Sequence, residues 1–525
     1  MALQMSPAGI DQNSAIAPEV STLRWRTAAS TKAIPLSGNN NIDALLTVRI
    51  NNPTITQSWN VPPGGVITYS FPNANTVNNL TSVAQGAITN PAEIPEPVKQ
   101  AVRQVLQNYS QVIPVQFQEV PDEVGGTLRV TLGKSPQLPD ALACAYVPGS
   151  AYGGQVFLSA NGMFDPNFFT KGPGSAGYGT LIHELGHAMG LKHPREYGSE
   201  AGDVPGKAPS NVAVLAPELD HRHNTVMSYN GRDFSSFQNS RTLMNYDIQS
   251  LQYLYGANTS WRAGNDLYTW NATSFLGVEA IWDGGGTDTL EMGSLPASDR
   301  YYFDLKPGGL LTTQAGRKGR FFDIYPSYQP LYPMFDRGKS IAFGVTLENL
   351  NGTDGADEVL GNDADNVILG RGGNDSLSGG LGQDTLWGGL DDDWLSGEAG
   401  NDQLQGNAGL DTLIGGLGND QLNGGRDADW LQGDAGDDVL FGEFGDDLLF
   451  GGDGADRFVL GTGMGQDTIQ DFQSGIDGIY LVNGLTPSAI ALRPQGTNTL
   501  VQVASSNETL AIVTGALSIA DFHLA

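Results

Sequence analysis

The sequence predicts two regions of different fold class: an α+β domain with a mixed sheet and an active-site helix, then an all-β domain that contains a parallel β-roll. Three observations support this prediction. A helical stretch near residue 183 carries two histidines four residues apart, with a third six residues later, and twelve nonapeptides rich in Gly and Asp follow one another without a gap from residue 352 to 459. Most of the remaining chain shows the alternation and the Gly/Pro punctuation of short strands and turns.

Composition excludes several classes of protein. The 525 residues include 57 Asp or Glu against 27 Lys or Arg, so the net charge is −30, and nucleic acid is not expected as a partner. No run of about 18 apolar residues occurs, which argues against a transmembrane segment. The single cysteine, Cys144, excludes an intramolecular disulfide. Residues 1–24 lack a basic and an apolar segment, so we predict no N-terminal signal peptide.

The N-terminal part of the chain divides into a leader and a domain. Residues 1–39 are polar and rich in Ala, Ser and Thr, and we predict a flexible leader that could act as a propeptide. Residues 40–258 are predicted to form the α+β domain. In the segment ALACAYV, Cys144 is predicted to be a small buried strand residue.

Four segments of this domain have clear periodicity. Residues 95–115 repeat apolar side chains at helical spacing, and residues 245–255 are predicted to form a closing helix. Residues 126–133 and 155–159 alternate as strands do, and we expect them in a sheet above a cleft.

A metal-binding motif lies on the predicted active-site helix. The pattern H-E-x-x-H-x-x-G-x-x-H is formed by His183, Glu184, His187, Gly190 and His193. Histidines at i and i+4 project from one helix face, and Gly allows the chain to turn and bring up the third imidazole. Three His ligands leave one coordination position of Zn²⁺ open for water, as in catalytic zinc sites. Glu184 is then the predicted base that takes a proton from this water.

Two further residues are predicted to complete this site. Met227 lies in a short turn after the third histidine, where it could form an apolar floor beneath the ligands. Tyr229 could be an additional zinc ligand that swings away to stabilise the developing oxyanion. His221 and His223 are expected to be surface residues or neighbours of the site, because three histidines already supply the ligands.

The nonapeptides of residues 352–459 follow the pattern G-G-x-G-x-D-x-U-x, which is typical of calcium-binding parallel β-helices. This block holds 24 acidic and three basic residues, and so carries −21 of the net charge. The Gly-rich half can turn and expose carbonyl oxygens, while Asp adds a carboxylate, and both are Ca²⁺ ligands. A flexible linker would not keep a large apolar residue at the eighth position of every unit.

The sixth position of the nonapeptides supplies the predicted calcium ligands, with two nonapeptides forming each of six turns. Asn366 is the one exception, and the fourth position departs from Gly at Ala364, Asp391 and Asp427, where we expect weaker binding. The predicted carboxylate ligands are Asp357, Asp375, Asp384, Asp393, Asp402, Asp411, Asp420, Asp429, Asp438, Asp447 and Asp456. Because stacked carboxylates repel one another, calcium binding and folding should be coupled.

The regions on either side of the repeats are predicted to be rich in strands. Residues 259–351 are expected to begin the C-terminal domain, and residues 460–525 to cap the roll. The last residues, an acid followed by apolar side chains, resemble a type I secretion signal. A simple last strand is the alternative.

The sequence resembles the serralysin family of bacterial zinc metalloproteases, within the metzincins. The resemblance rests on the zinc motif ending in His193-Pro194, on Met227-Ser228-Tyr229, and on the repeats. It implies a metzincin catalytic domain with a Met-turn at Met227, one catalytic Zn²⁺ and several structural Ca²⁺. It extends to the segment 282–289, in which Asp288 is predicted to be a further calcium ligand.

These observations predict a secreted zinc endopeptidase that is monomeric. Its expected partners are protein or peptide substrates and a type I secretion apparatus. Two alternatives remain. The roll could be the main functional part, as a calcium-dependent adhesive module beside an inactive protease. The protease could also cleave only its own leader.

Overall fold

The computed structural model describes most of the chain from residue 30 onward. The described residues are 30–49, 52–76, 89–134, 143–149, 153–159, 166–194, 213, 215–216, 219–220, 222, 224–228, 240–275, 277–317 and 338–524. Most of the predicted leader therefore lies outside them. Among the described residues, no helix is long and apolar enough to cross a membrane.

The chain forms two compact units, and their division differs from the predicted one at residue 258. The first unit contains residues up to 261 together with 277–284 and 338–343, and the second contains the rest of the described chain. The two inserted segments pair as parallel strands, Glu279–Ile281 with Lys339–Ile341. This pairing corrects the predicted assignment of all of 259–351 to the C-terminal region. Because the pairing is non-local, it has no signature in the local sequence.

The first unit contains three helices that matter for the site. Glu96–Val112 and Asn245–Tyr255 match the two predicted helices, and each turns its apolar side into the core. Ala176–Met189 carries the histidine motif, and we call it the metal-site helix. A short helix, Asn40–Asp43, and a 3-10 helix, Pro166–Thr170, lie in the same unit.

In the described part of the chain, nine strands precede the closing helix of the first unit. A small antiparallel sheet has the order β1-β3-β2, and a larger mixed sheet has the order β6-β4-β7-β9-β8, with β5 paired to β7. The strands are β1 Thr31–Pro35, β2 Val48–Arg49, β3 Asn52–Trp59, β4 Val66–Ser70, β5 Thr89–Ala92, β6 Gln116–Glu119, β7 Leu128–Lys134, β8 Ala143–Ala145 and β9 Gln155–Leu158. In the larger sheet β8 is antiparallel to β9 and forms one edge of the described strands.

Cys144 lies in β8, as predicted, but its side chain is half-buried rather than buried. The difference follows from its position on the edge strand, where a side chain is covered by a neighbouring strand on one side and not on the other.

The second unit consists of two long arrays of strands, which we call sheet I and sheet II. Sheet I takes its strands strictly in chain order, and all of its described pairs are parallel. Its strands are Leu267–Thr269, Thr289–Glu291, Asn349–Asn351, Val367–Gly372, Thr385–Leu390, Gln403–Ala408, Gln421–Arg426, Val439–Phe444, Arg457–Leu460, Gly478–Leu481 and Phe522–Leu524.

Sheet II alternates with sheet I along the repeats, where its strands are parallel, and it has antiparallel pairs near its ends. Its strands in this unit are Tyr301–Asp304, Leu310–Thr313, Asp357–Leu360, Ser376–Leu381, Trp394–Ala399, Thr412–Leu417, Trp430–Ala435, Leu448–Asp453, Asp467–Ile469, Ile490–Gln495, Asn498–Val503 and Thr509–Thr514. Short helices lie at Ala272–Phe275, Gln314–Arg317, Pro487–Ala489 and Ile519–Asp521.

Each turn of the roll consists of two nonapeptides, as predicted. Within one sheet, each residue of the repeats lies opposite the residue two nonapeptides later, as Leu386 lies opposite Leu404. Each eighth-position side chain, from Val359 to Phe458, is buried between the sheets. This apolar column forms the core, while the Gly-rich halves form the turns. The last residues form strand Phe522–Leu524 of sheet I, which agrees with the alternative of a simple last strand.

Candidate metal centres

The metal-site helix has well-defined ends. The Ser175 side chain accepts a hydrogen bond from the Tyr178 N–H and caps the first turn. At the other end Gly190 adopts φ 113°, a left-handed conformation that favours Gly. The Leu191 N–H then donates to the Gly186 carbonyl, so the chain reverses directly after the second histidine of the motif.

This reversal brings three imidazoles together. His193 Nε2 lies 3.1 Å from His183 Nε2 and 3.2 Å from His187 Nε2. Zinc–nitrogen bonds of 2.0–2.1 Å in tetrahedral geometry would separate ligand nitrogens by about 3.3 Å. The three nitrogen atoms therefore fit a single Zn²⁺ ion.

The other ring nitrogens determine the tautomers. His183 Nδ1 lies 2.8 Å from the Val226 carbonyl oxygen, and His187 Nδ1 lies 2.9 Å from the Leu191 carbonyl oxygen. Since a carbonyl can only accept, each Nδ1 carries the proton and each Nε2 presents a lone pair to the centre. Burial lowers the pKa of His187 to about 4, although the Leu191 carbonyl opposes the shift. His187 is therefore neutral, as a metal ligand must be.

Glu184 follows the first histidine on the same helix. Its side chain is 7% exposed, so the carboxyl group lies in a nearly closed environment next to the histidine motif. A carboxyl in this position can exchange a proton with a water molecule held at the metal.

Met227 is fully buried beneath the metal-site helix. A Cβ atom added to Gly186 would lie only 2.8 Å from Met227 Sδ, so the absence of a side chain at Gly186 lets the sulfur approach the helix between the two histidines. Met227 therefore packs against the metal-site helix, and its predicted role as an apolar floor beneath the ligands stays a prediction.

Asp247 holds that turn, and its part was not predicted. Its Oδ2 accepts hydrogen bonds from the N–H groups of Val226 (2.7 Å) and Met244 (3.0 Å), while its Oδ1 accepts from Thr225 Oγ1 at 2.5 Å. Because the Val226 carbonyl in turn orients His183, Asp247 connects the closing helix to a candidate zinc ligand. Burial raises the pKa of Asp247 to about 6, and these hydrogen bonds oppose the rise.

Three predicted residues lie outside the described part of the chain. They are Tyr229, His221 and His223. The role predicted for Tyr229 at the metal stays a prediction.

The roll contains a second kind of candidate centre, which we call the Asp ladder. From Asp375 onward, each sixth-position carboxylate is buried, and its Oδ1 accepts the backbone N–H of the residue 18 positions earlier. For example, Asp411 Oδ1 accepts from the Asp393 N–H at 2.8 Å. One carboxylate oxygen is therefore used to join successive turns.

The second carboxylate oxygen is different. In ten of the eleven predicted ligands, all except Asp357, Oδ2 is buried without a hydrogen-bond partner. A Cβ added to Gly406 would lie 2.2 Å from Asp411 Oδ2 and 2.6 Å from the Gly424 carbonyl oxygen. Carboxylate and carbonyl oxygens thus surround a space that only Gly leaves open. This oxygen-rich set fits Ca²⁺.

The electrostatics of the ladder support the same conclusion. Burial, reinforced by repulsion from Asp357 and Asp393, raises the pKa of Asp375 to about 9, although the Asp357 N–H opposes the shift. Burial likewise raises the pKa of Asp411 to about 6. A divalent cation would remove this penalty by neutralising the carboxylates.

The departures from the repeat have local consequences. The Asn366 N–H still donates to Asp384 Oδ1, and the Asn366 side-chain amide donates to the Glu348 carbonyl at 2.9 Å. Asp391 and Asp427 occupy the fourth position with φ 71° and 75°, a left-handed conformation that Gly adopts more easily.

The ladder extends beyond the nonapeptides. Asp467 Oδ1 accepts from the Asp447 N–H, and Asp477 Oδ1 accepts from the Asp456 N–H. Asp467 and Asp477 were not predicted as ligands, although both begin the sequence D-x-U. Asp467 and Asp477 lie 20 and 21 residues after the N–H groups that they accept, rather than 18. They therefore do not follow the period of the repeats.

Asp288 continues the ladder at its other end. Its Oδ1 accepts from the Asp266 N–H at 2.8 Å. The calcium-binding role predicted for Asp288 stays a prediction.

Comparison with known proteins also separates the chain into a peptidase part and a calcium-binding repeat part. The family model "Matrixin" of peptidases matches residues 86–200. The model "RTX calcium-binding nonapeptide repeat (4 copies)" matches residues 351–386, 387–422 and 423–458, which makes twelve nonapeptides.

Similar proteins include several bacterial metallopeptidases. Serralysin B of Dickeya chrysanthemi is 31% identical over 312 residues, covering 55% of this chain and 57% of that protein. Serralysin of Proteus mirabilis is 32% identical over 325 residues, covering 56% and 59%. Metallopeptidase AprA of Pseudomonas marginalis is 31% identical over 288 residues, covering 49% and 52%.

The chain spans little more than half the length of the relatives that it matches. The family models nevertheless cover both kinds of metal centre, and zinc and calcium are the cofactors that they support. With a matrixin-type peptidase domain followed by RTX calcium-binding repeats, the chain resembles the serralysin-type metalloproteases.

Proposed function

We propose that this protein is a secreted zinc-dependent endopeptidase that hydrolyses peptide bonds in proteins. The observation that carries the proposal is the position of His183 Nε2 and His187 Nε2 within 3.2 Å of His193 Nε2, with Glu184 on the same helix. The peptidase names of its relatives support the same class of reaction.

The candidate ligands are His183, His187 and His193. Bound Zn²⁺ would supply Lewis-acid polarisation of a water molecule and of the substrate carbonyl. Glu184 accepts the proton of the attacking water and later delivers it to the leaving amine. Tyr229 donates a hydrogen bond to the oxyanion, in line with its position two residues after Met227 in the chain.

The substrate binds in extended form along β8. This strand forms an edge of the larger sheet in the described chain, and it packs against the metal-site helix. An added strand would complete its backbone hydrogen bonds and place one peptide bond near the three imidazoles.

The roll stabilises the protein outside the cell. Sites in extracellular calcium-binding modules fill at calcium concentrations near about 10⁻⁴–10⁻³ M. The C-terminal residues, which also form the last strand of sheet I, serve a type I secretion apparatus, and no N-terminal signal peptide is needed for that route. The enzyme works as a monomer.

Glu184→Gln tests the proposal. We expect the variant to bind zinc as the native protein does and to lose about 10²–10⁴-fold in casein hydrolysis, because only the proton-transfer group is removed. Glu93→Gln, on an exposed carboxylate of the same unit, is the matched control and should keep full activity.

Zinc content is measured by metal analysis, and cleavage products are sequenced. Undiminished caseinolysis by Glu184→Gln would contradict the assigned role of Glu184. A native protein that binds zinc but cleaves no added protein would contradict the proposed function.

A further inference from the structure

The outer surface of sheet II differs from that of sheet I in carrying two tryptophans in one row, whereas the seventh and ninth positions of both sheets are uncharged from Val367 to Phe441. We define the aromatic face as the outward side chains of sheet II from Ser376 to Gln470, at the seventh and ninth positions of the repeats. They point away from the core because the eighth-position side chains between them are buried. These outward residues are all uncharged, although the repeats carry −21.

Two tryptophans lie in one row of this face. Trp394 pairs with Thr412, and Thr412 pairs with Trp430, so the two indoles are separated by one strand. Each tryptophan is 40% exposed. With neighbouring strands about 4.8 Å apart, the two residues are spaced by about 9.6 Å along the roll.

Polar groups lie between and beside the rings. Gln432 Nε2 donates to Asp434 Oδ1, and Ser378 Oγ donates to Glu398 Oε1, which places carboxylates at one margin of the face. Phe450 packs edge-to-face with Trp430, with ring centroids 6.2 Å apart, and supports the second indole. Thr412 and Gln432 therefore offer polar groups beside the indoles, whereas the Ser378 and Ser396 hydroxyls of the face are buried.

We propose that the aromatic face binds an extended, uncharged polysaccharide chain. Sugar rings present C–H groups that pack on indole faces and hydroxyl groups that bond to Thr, Gln and carboxylate side chains. The spacing of Trp394 and Trp430 suits two rings of one extended chain that are separated by a third. The face has uncharged seventh- and ninth-position side chains with carboxylates at one margin, so it lacks the cations that a polyanionic polysaccharide would require.

A second copy of this chain fits the face less well. Homodimer interfaces bury contiguous apolar surface, whereas each tryptophan here is flanked in its row by Ser, Thr or Leu. The repulsion between two chains of net charge −30 also opposes such a pairing. The proposed binding is separate from peptide hydrolysis and does not depend on it.

The experiment uses the full chain at millimolar calcium. Native protein, the double variant Trp394→Ala/Trp430→Ala and the control Trp387→Ala are sedimented with microcrystalline cellulose and with chitin. Trp387 lies on sheet I and is 46% exposed, so it controls for the general loss of a surface indole. We expect native protein and Trp387→Ala to bind, and binding to weaken about tenfold for each ring removed from the aromatic face.

Circular dichroism and casein hydrolysis show whether each variant is folded. Single variants at Trp394 and Trp430 replace the double variant if it fails to fold. Absence of binding by the native protein to both polysaccharides overturns the proposal, and so does an equal loss for Trp387→Ala. A native dimer in sedimentation that the double variant dissociates, without polysaccharide binding, would assign the face to a second copy instead.

Discussion

The two candidate metal centres differ in how their ligands are held before a metal arrives. In the metal-site helix, backbone carbonyls orient His183 and His187, and the pKa of His187 is lowered to about 4, so His187 is neutral and the three imidazoles already converge. In the Asp ladder, buried carboxylate oxygens lack hydrogen-bond partners and the carboxyl pKa values are raised. The fold places the ligands of the first centre before a metal binds. In the second centre the buried carboxylates destabilise the fold until a cation binds.

Removal of calcium should therefore have the largest effect. We expect a calcium chelator to abolish the strand signal of the roll, because ten buried Oδ2 atoms then remain without a partner. Circular dichroism during calcium titration measures this change. Zinc removal is the matched treatment and should leave the spectrum nearly unchanged. A roll that keeps its strand signal without calcium would contradict the coupling of calcium binding to folding.

The pH dependence of the calcium-free roll should follow the raised pKa values. A carboxyl whose folded pKa lies above its unfolded pKa stabilises the fold at low pH, and this contribution is lost as pH rises through the folded value. That value is about 6 for Asp411 and about 9 for Asp375. We therefore expect the calcium-free roll to keep more strand signal in circular dichroism at pH 5 than at pH 8, where the signal is lost.

Calcium should reverse this trend, since the cation displaces the protons. Proton release on calcium addition at pH 6, measured in weakly buffered solution, should accompany binding. A strand signal of the calcium-free roll that increased from pH 5 to pH 8 would contradict the assignment of the raised pKa values to the ladder.

A pair of neighbouring substitutions should separate the ladder from ordinary surface acids. Asp438→Asn keeps an oxygen for the Asp420 N–H but removes a buried charge, and we expect the calcium midpoint to rise about tenfold. Asp437→Asn removes the exposed neighbouring charge, keeps an oxygen for the Ala455 N–H and should change the midpoint little. Equal shifts would mean that overall charge, not the ladder, determines calcium binding.

Asp247 offers the equivalent test in the first unit. Asp247→Asn cannot accept all three hydrogen bonds from Thr225, Val226 and Met244, so His183 should lose part of its support. Loss of such supporting groups typically costs about 10–100-fold in metal affinity or activity. Zinc affinity is measured by competition with a chromophoric chelator, which distinguishes a positioning role from general destabilisation. Unchanged affinity and activity would contradict that role.

The smallest effect is expected at Gly186. Gly186→Ala places a methyl group 2.8 Å from Met227 Sδ, and overpacking of this kind typically costs about 1–3 kcal/mol. Ala is a better helix former than Gly by about 1 kcal/mol, which offsets part of the cost. The melting temperature of the first unit should fall by a few degrees. The control is Gly264→Ala in the second unit, where nothing lies within 4 Å of the added methyl group.

Periodic features were predictable because their period is in the sequence itself. The zinc motif and the nonapeptides encode their spacing locally, and the eighth-position core followed directly. The role of Asp247 depends on residues 21 and 22 positions earlier, which no local pattern reveals. The strands at 279–281 and 339–341 pair across a long intervening segment, so the local sequence could not place the division between the two units.

The Asp ladder also has a direction. Every Oδ1 acceptor comes from a residue about two nonapeptides closer to the C-terminus than the N–H that it serves. A cut at the N-terminal end of the roll leaves the remaining N–H groups of the ladder with their acceptors, whereas a cut at the C-terminal end removes the acceptors of the last retained turn. Fifth-position acceptors run the other way, as Asp437 Oδ1 accepts from the Ala455 N–H. Asp467 and Asp477 protect that vulnerable end. The ladder is therefore completed from its C-terminal side, whereas the fifth-position hydrogen bonds of the roll are completed from its N-terminal side.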